Sequence, residues 1–273
     1  MTVLTPPDAP QPTYVIKARK AGFVVDTASV AGRALRGISR APAAIIPALF
    51  IPLFFFIVNV GALQDFSEQG IPGFDYKAFQ LPVAIIFAVT GVSRASTLVT
   101  DIQGGYFDRL VLTPVRRLSL LLGLMVSDFA LVCALCIPVL ILGSVVGVRF
   151  ETGWAGILAF IVMAGLWGLV FTGFPYAIAL KTGNPQAVAS SFIIFFPFAF
   201  LTTSMLPREA LTGWLDTVAG YNPVTYVLAG LRSLETEGWE WATLGQALGA
   251  IAIVGVLSMS MCFAALRGRI RRG

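Results

Sequence analysis

Long apolar stretches alternate with short polar breaks along this chain, and the apolar stretches are longer than the helices of a water-soluble core. Six can be marked off: Pro42–Ala62, Phe79–Val99, Leu118–Val148, Gly153–Leu180, Ala187–Leu206 and Ala242–Leu266. Crossing ~30 Å of hydrocarbon at 1.5 Å per residue takes about 20 helical residues, so each stretch predicts a membrane span. The third and fourth exceed that length, and tilt or projection beyond the bilayer is expected of them. The second and fifth open on Gly, Pro and polar residues, which blurs their ends.

A different period precedes the first span. From Val24 to Arg40, Val30, Ala34 and Ile38 recur at four-residue spacing, as do Ala31 and Leu35. Arg33, Arg36 and Arg40 share another face. This pattern predicts an amphipathic helix lying along the membrane surface, its arginines toward lipid headgroups or a partner. The segment before it, 1–23, is rich in Pro and Thr near its start and reads as a disordered tail. It lacks the basic-then-apolar order of a cleaved signal peptide, so the first span is expected to serve as the insertion signal.

Composition agrees with the pattern. Hydrophobic residues make up 57% of the chain and charged residues 12%, with a mean hydropathy of +0.84. A soluble domain carries roughly 25% charged residues, so this chain has too little polar surface to coat a globule in water. The charges are also sorted. Of the 19 Lys and Arg residues, only Lys77, Arg149, Arg208 and Arg232 fall on one side of the predicted spans. That side holds most of the acids, among them Asp65, Glu68, Asp75, Glu151, Asp216 and Glu235. The positive-inside rule then puts both termini in the cytoplasm, with 267–273 as a basic cytoplasmic tail. The net charge of +5 is a topology signal and does not point to nucleic acid.

Several chemistries lack their residues. The chain has no histidine, the commonest general base and metal ligand, and no metal site is predicted. Cys133 and Cys136 form a C-x-x-C on one face in mid-span with no second pair, which reads as small apolar packing. No phosphate-binding G-x-x-x-x-G-K-[ST] loop occurs, so uphill transport would draw on a nucleotide hydrolysed elsewhere or on an ion gradient. Asp128 is the one acid well inside a span, and Arg94 lies near the cytoplasmic end of the preceding one. An antiparallel hairpin would let them pair, either structurally or as the proton site of a secondary transporter. A lipid-modifying enzyme would need a convergent polar cluster at one interface, and none is evident.

The loop after the second span is the most specific stretch. It runs from Asp101 through Gln103, Gly105, Tyr106, Asp108 and Arg109 to Thr113-Pro114, where the helix must break, and ends at Arg116-Arg117. A short helix held between two spans is expected there, with its acids and arginine available to another protein. On the other side of the membrane, Pro207, Trp214, Asn222-Pro223, Tyr226 and Arg232 mark a segment too broken to span, with aromatics suited to the interface.

These two stretches resemble the signatures of type-2 ATP-binding-cassette exporter permeases, the group that includes the daunorubicin-resistance permeases. The acid, Gly, acid-Arg-Leu, Pro and basic positions of the cytoplasmic signature fall on Asp101, Gly105, Asp108, Arg109, Leu110, Pro114 and Arg117. Gln103 stands where many members carry Glu, and Tyr106 where Thr is common. The resemblance covers nearly the whole chain. It implies an all-α integral membrane protein with six transmembrane helices, an N-terminal interfacial helix (24–40) and a transmembrane domain (41–266). Within that domain it implies a coupling loop at 100–117 and an extracellular re-entrant helical hairpin at 207–235, before the last span. It implies a non-catalytic subunit in the cytoplasmic membrane that exports an amphiphilic drug, lipid or lipid-linked glycan. Two copies of a cytoplasmic ATPase would hold ATP and Mg, and a second permease copy or homologue would complete the dimer. The path would then be lined from the second span by Phe87, Thr90, Ser93 and Thr97, and from the fifth by Ser191, Phe195, Pro197 and Thr202. Their mix of rings and hydroxyls suits an amphiphilic cargo.

Overall fold

The structure, a computed structural model, describes residues 22–38, 42–70, 73–105 and 117–271, and every regular element among them is helical. The order is α1 (Phe23–Ile38), α2 (Pro42–Gly70), α3 (Tyr76–Thr90), α4 (Ala95–Gln103), α5 (Arg117–Val145), α6 (Gly153–Phe171) and α7 (Gly173–Thr182). A composite helix follows: α8 (Pro185–Ser190), a 3-10 turn (Ser191–Ile194) and α9 (Phe195–Phe200). Two short helices, α10 (Trp214–Tyr221) and α11 (Pro223–Arg232), lead through a π-turn at Ser233–Glu237 into α12 (Trp241–Ile270).

Among the described residues five helical stretches are long and apolar enough to cross a membrane: Ile46–Gly70, Tyr76–Gln103, Leu118–Val145, Gly153–Thr182 and Trp241–Arg269. These are the first, second, third, fourth and sixth of the stretches marked off in the sequence. The fifth differs. Its helical run is Pro185–Phe200, about 24 Å at 1.5 Å per residue, and 201–206 leave the helix as bends and turns. Thr202 and Thr203 stop it, because their polar groups engage Thr225 and Arg232 of α11 and Pro207 follows. Two other ends also shift. α12 runs on to Ile270 and takes in Arg267 and Arg269, where the negative helix end favours cations. α1 ends at Ile38, and the predicted tail before Gly22 lies outside the described residues.

α3 is the centre of the packing. Every side chain on it except Lys77 and Phe87 is buried. Leu81, Ile85 and Val89 meet Val132 and Val139 of α5, Phe160 and Trp167 of α6, and Val227 and Leu231 of α11. A second cluster gathers Ala34 of α1, Leu98 of α4, Leu121 and Leu124 of α5, Leu180 of α7 and Leu266 of α12. α1 reaches this cluster because of Gly123. A Cβ there would stand 2.6 Å from the Val30 Cβ and 2.9 Å from the Thr27 carbonyl oxygen, so only a glycine lets the backbones approach this closely. α2 is the opposite case: Phe50, Ile51, Phe54, Ile57 and Val58 all point away from the bundle. A contiguous apolar face of this kind needs lipid or another protein against it.

Candidate functional site

The polar chemistry of the bundle collects at the two ends of the α3–α4 helix. At the α1 end the helix is broken between Gly91 and Arg94, where glycine and serine lie close together. Ser93 Oγ accepts the Ala95 N–H at 3.2 Å, which opens α4 with a local turn. The break frees the Arg94 N–H. Asp128 of α5 accepts it with both carboxylate oxygens, at 3.1 and 3.3 Å, and Tyr176 of α7 donates its hydroxyl to the same carboxylate at 2.8 Å. Asp128 is completely buried. The sequence-predicted meeting of Arg94 and Asp128 therefore occurs through the main chain. The Arg94 guanidinium extends toward α1, its Nη2 3.1 Å from where a Cβ on Gly37 would sit.

Below the break, α4 is tied to two neighbours. Arg33 donates to Asp101 at 3.0 Å, and Gln103 donates to the Gly183 carbonyl at 3.0 Å. Gly104 and Gly105 end α4. The Gly104 N–H returns to the Thr100 carbonyl at 2.9 Å, and Gly105 has φ +67°, a left-handed conformation that glycine adopts without strain. Arg33, Arg36, Arg94 and Thr97, with Ala34, Gly37 and Leu124, line an open recess of about 370 Å³. Of the coupling-loop residues named from the sequence, Asp101, Gln103 and Gly105 are brought together here. Tyr106, Asp108, Arg109 and Pro114 lie outside the described residues, as does Arg40, and Arg117 is the first residue of α5.

The hairpin end is built by α11. Asn222, Thr225 and Arg232 fall on one face of it, three and ten residues apart. Asn222 caps α11 by accepting the Val224 N–H at 3.0 Å, while its Nδ2 donates to the Phe198 and Leu201 carbonyls, both at 2.7 Å. Those are carbonyls left over at the end of α9. Thr225 and Thr202 share a hydrogen bond of 2.6 Å. Arg232 donates to the Thr203 hydroxyl at 3.0 Å, the Thr203 carbonyl at 2.8 Å and the Phe79 carbonyl at 3.1 Å. Its guanidinium carbon also lies 3.5 Å from the centre of the Phe79 ring. One side chain on α11 thus fastens that helix to α3 and to the bend after α9. Tyr226 donates to the Gly220 carbonyl at 2.7 Å, Pro223 opens α11, Pro207 precedes a short 3-10 turn, and Trp214 is exposed.

Glu235, one turn past Arg232, is fully buried, and neither carboxylate oxygen has a hydrogen bond among the described residues. Burial raises its pKa well above the ordinary 4.5; Arg232 opposes that shift and Asp75 adds to it. Burial also pushes the Arg232 guanidinium down to about 9, which leaves it a cation at neutral pH.

The hydroxyls proposed to line a path are mostly enclosed within this one chain. Thr90 donates to the Ile86 carbonyl and accepts the Trp167 indole N–H at 2.9 Å. Ser191 donates to the Val188 carbonyl at 2.5 Å, and Thr202 is held by Thr225. Phe195 is buried against Phe87 and Phe171, and Phe87 also meets Phe55 and Phe200. The face that α9 leaves open consists of Phe196, Pro197, Phe198 and Phe200.

Sequence reading missed Tyr176 as the partner of Asp128, Thr203 and Phe79 as the partners of Arg232, and the burial of Glu235. An intramembrane acid implies a donor on a neighbouring helix, but spacing along one chain does not say which helix. Glu235 sits among exposed acids in the sequence and carries no sign that sets it apart.

The ABC-2 type transporter family matches residues 27–236, most of the chain. A daunorubicin resistance ABC transporter permease protein of Streptomyces coeruleorubidus is 25% identical over 240 residues, covering 84% of this chain and 83% of the relative. A Mycobacterium tuberculosis protein named as a probable doxorubicin resistance ABC transporter permease is 24% identical over 222 residues, 79% of each chain.

Proposed function

The chain belongs to the ABC-2 type transporter family, and from that premise we propose that it is the membrane permease of an ATP-driven exporter of amphiphilic molecules. Five long apolar helices and the family match make it a multi-pass membrane protein, and the family implies association with a cytoplasmic ATP-binding subunit. In this reading the shorter run Pro185–Phe200 is a sixth crossing, both termini are cytoplasmic, and α1 lies at the inner surface. The α10–α11 hairpin dips back from the outer surface. ATP and Mg bind two copies of the partner subunit, and a second permease copy covers the open aromatic face of α9.

The observation that carries the mechanism is the fastening of α4. Asp101 and Gln103 tie its end to α1 and to the turn after α7, so a push on the loop after Gly105 is passed to three helices together. Force from the ATPase would enter there and bend α3–α4 at Gly91–Arg94. The cargo would leave along α9 and past the hairpin, in a two-state cycle biased by nucleotide. Drug resistance is in the names of the relatives, and it makes amphiphilic drugs the first cargo to test. Proton coupling through Asp128 is the weaker reading, because its carboxylate already holds two donors.

Mild solubilisation from the native membrane, affinity capture and ATPase assay test the proposal. Recovery of a stoichiometric nucleotide-binding subunit with drug-stimulated ATPase activity is expected. A chain that is recovered alone and transports alone would refute it. Asp108→Lys is expected to weaken ATPase binding or uncouple hydrolysis from transport without changing the helical content; normal assembly and coupling would remove the docking role of that loop.

A further inference from the structure

A narrow recess between α2 and α3, beside Met205, is lined by Phe55, Phe56 and Asn59 of α2 and by Gln80 and Phe87 of α3. Its volume of about 20 Å³ admits one group the size of a water molecule, which takes roughly 10–15 Å³ of such space. Apolar side chains form most of the wall, and two amides break it. We propose that the recess binds a neutral hydrogen-bond donor, such as a hydroxyl carried on an apolar or aromatic body, and that Asn59 and Gln80 select for it.

Unused hydrogen-bonding capacity is the first argument. Asn59 Nδ2 donates to the Phe55 carbonyl at 2.8 Å, and Gln80 Nε2 donates to the Tyr76 hydroxyl at 2.7 Å. Neither amide oxygen accepts a hydrogen bond from a described residue. Polar side chains in apolar helices commonly join one helix to the next. These two stand on neighbouring helices and on one recess, yet they do not bond to each other. Gln80 is only 3% exposed, so its oxygen lies in apolar surroundings, where an unmet acceptor costs free energy. A donor that enters the recess removes that cost.

Preorganisation is the second argument. An amide is planar, so the bond made by its nitrogen also fixes its oxygen, and less ordering is lost on binding. Charge is the third. Among the described residues no charged side chain lines the recess. An ammonium would lie there without a counter-charge, and a carboxylate or phosphate would face two acceptors. A neutral donor meets both limits. The inference rests on the exporter reading for one point, that the occupant is cargo. Phe87 stacks on Phe55 with ring centres 6.4 Å apart and also meets Phe195 and Phe200. The recess thus adjoins the aromatic face of α9, along which cargo is proposed to leave.

The test uses the purified full chain without nucleotide or ATPase. Two probes share a naphthalene ring with an alkyl diazirine chain; one carries a hydroxyl on the ring and the other its methyl ether. Photolabelling of the α2 and α3 peptides is read by mass spectrometry. Wild type is expected to take the naphthol about fivefold over the ether, the size of one net hydrogen bond. Asn59→Leu and Gln80→Met keep the side-chain size and remove the amide. Each should bring naphthol labelling down to the level of the ether and leave ether labelling unchanged. Equal labelling by the two probes in wild type would overturn the proposal and leave the recess to a water molecule. Variants that lose both probes alike would also overturn it, because the amides would then only shape the wall. Asn59 is partly exposed and its hydrogen bond lies within its own helix, so Asn59→Leu decides the matter even if Gln80→Met does not fold. A naphthol preference in a chain that transports without an ATPase would keep the site while the exporter reading falls, so the two fail separately.

Discussion

The α1 end and the hairpin end of the bundle solve one problem with opposite charges. At the α1 end a helix begins after a break, and what it leaves over is an N–H; Asp128, an acceptor, meets it. At the hairpin end a helix stops early at Phe200, and what it leaves over are carbonyls; Asn222 and Arg232, both donors, meet those. The sign of the side chain follows from which backbone group is orphaned. In each case the partner comes from another helix. The ends differ in completeness. Asp128 has donors for both oxygens, whereas Glu235 is buried beside Arg232 with no hydrogen bond on either oxygen among the described residues.

Removing Arg232 should have the largest effect. Arg232→Ala strips the donors from the Thr203 hydroxyl and carbonyl and from the Phe79 carbonyl, and leaving such buried acceptors open costs roughly 1–3 kcal/mol each. A steep fall in thermal stability in detergent and poor membrane accumulation are expected. A wild-type melting curve would mean that the hairpin does not depend on this clamp.

Asp128 sharpens the contrast. Asp128→Ala orphans the Arg94 N–H and the Tyr176 hydroxyl, which should cost about 2–4 kcal/mol. Asp128→Asn keeps an acceptor and cannot carry a proton. Near-normal stability and transport in the Asn variant are expected, and abolished transport with intact folding would instead revive proton coupling.

Gly123→Val tests the packing under the α1 end. Overpacking of this kind costs typically 1–3 kcal/mol, and the added methyls should push α1 off α5. Protease sensitivity of the α1 segment is the direct measure, and unchanged protection would show that α1 accommodates the bulk.

Glu235 gives a pH signature. Its folded-state pKa lies above the ordinary 4.5 because burial disfavours the charge. The native state therefore holds a proton that the unfolded state releases. The associated stability is whole below the ordinary value and is lost as pH rises through the elevated one. Melting temperature should fall with rising pH over that window, and Glu235→Gln should flatten the fall. A slope that survives the substitution would assign it to another group.

The smallest effect is expected from Arg33→Ala. The Arg33–Asp101 pair is partly exposed, and such pairs contribute roughly 0–1 kcal/mol. Stability should hardly move. A change in substrate-stimulated ATPase activity with an unchanged melting temperature would separate force transfer from simple support.

Much of this was open to a reader of the sequence, and the limits follow a physical line. Five long apolar helices, a helix at Phe23–Ile38 and the approach of Arg94 to Asp128 follow from apolar length, helical period and hairpin topology, all local along the chain. The end of the fifth helix did not follow, because Thr202 and Thr203 are as compatible with a span as with a cap. Their partners Thr225 and Arg232 are more than twenty residues away, and only packing brings them into reach.

The same division holds for the molecule as a whole. Composition and spacing alone determined that long apolar helices form, where five of them lie and which segments carry the positive charge, because the hydrophobic effect acts on each segment wherever it lies. Only the tertiary structure decided which acid meets an orphaned N–H, which arginine fastens α11 to α3 and which three arginines line one recess. Hydrogen bonds and close charges act over a few ångströms, and the groups that come so close belong to helices far apart in sequence.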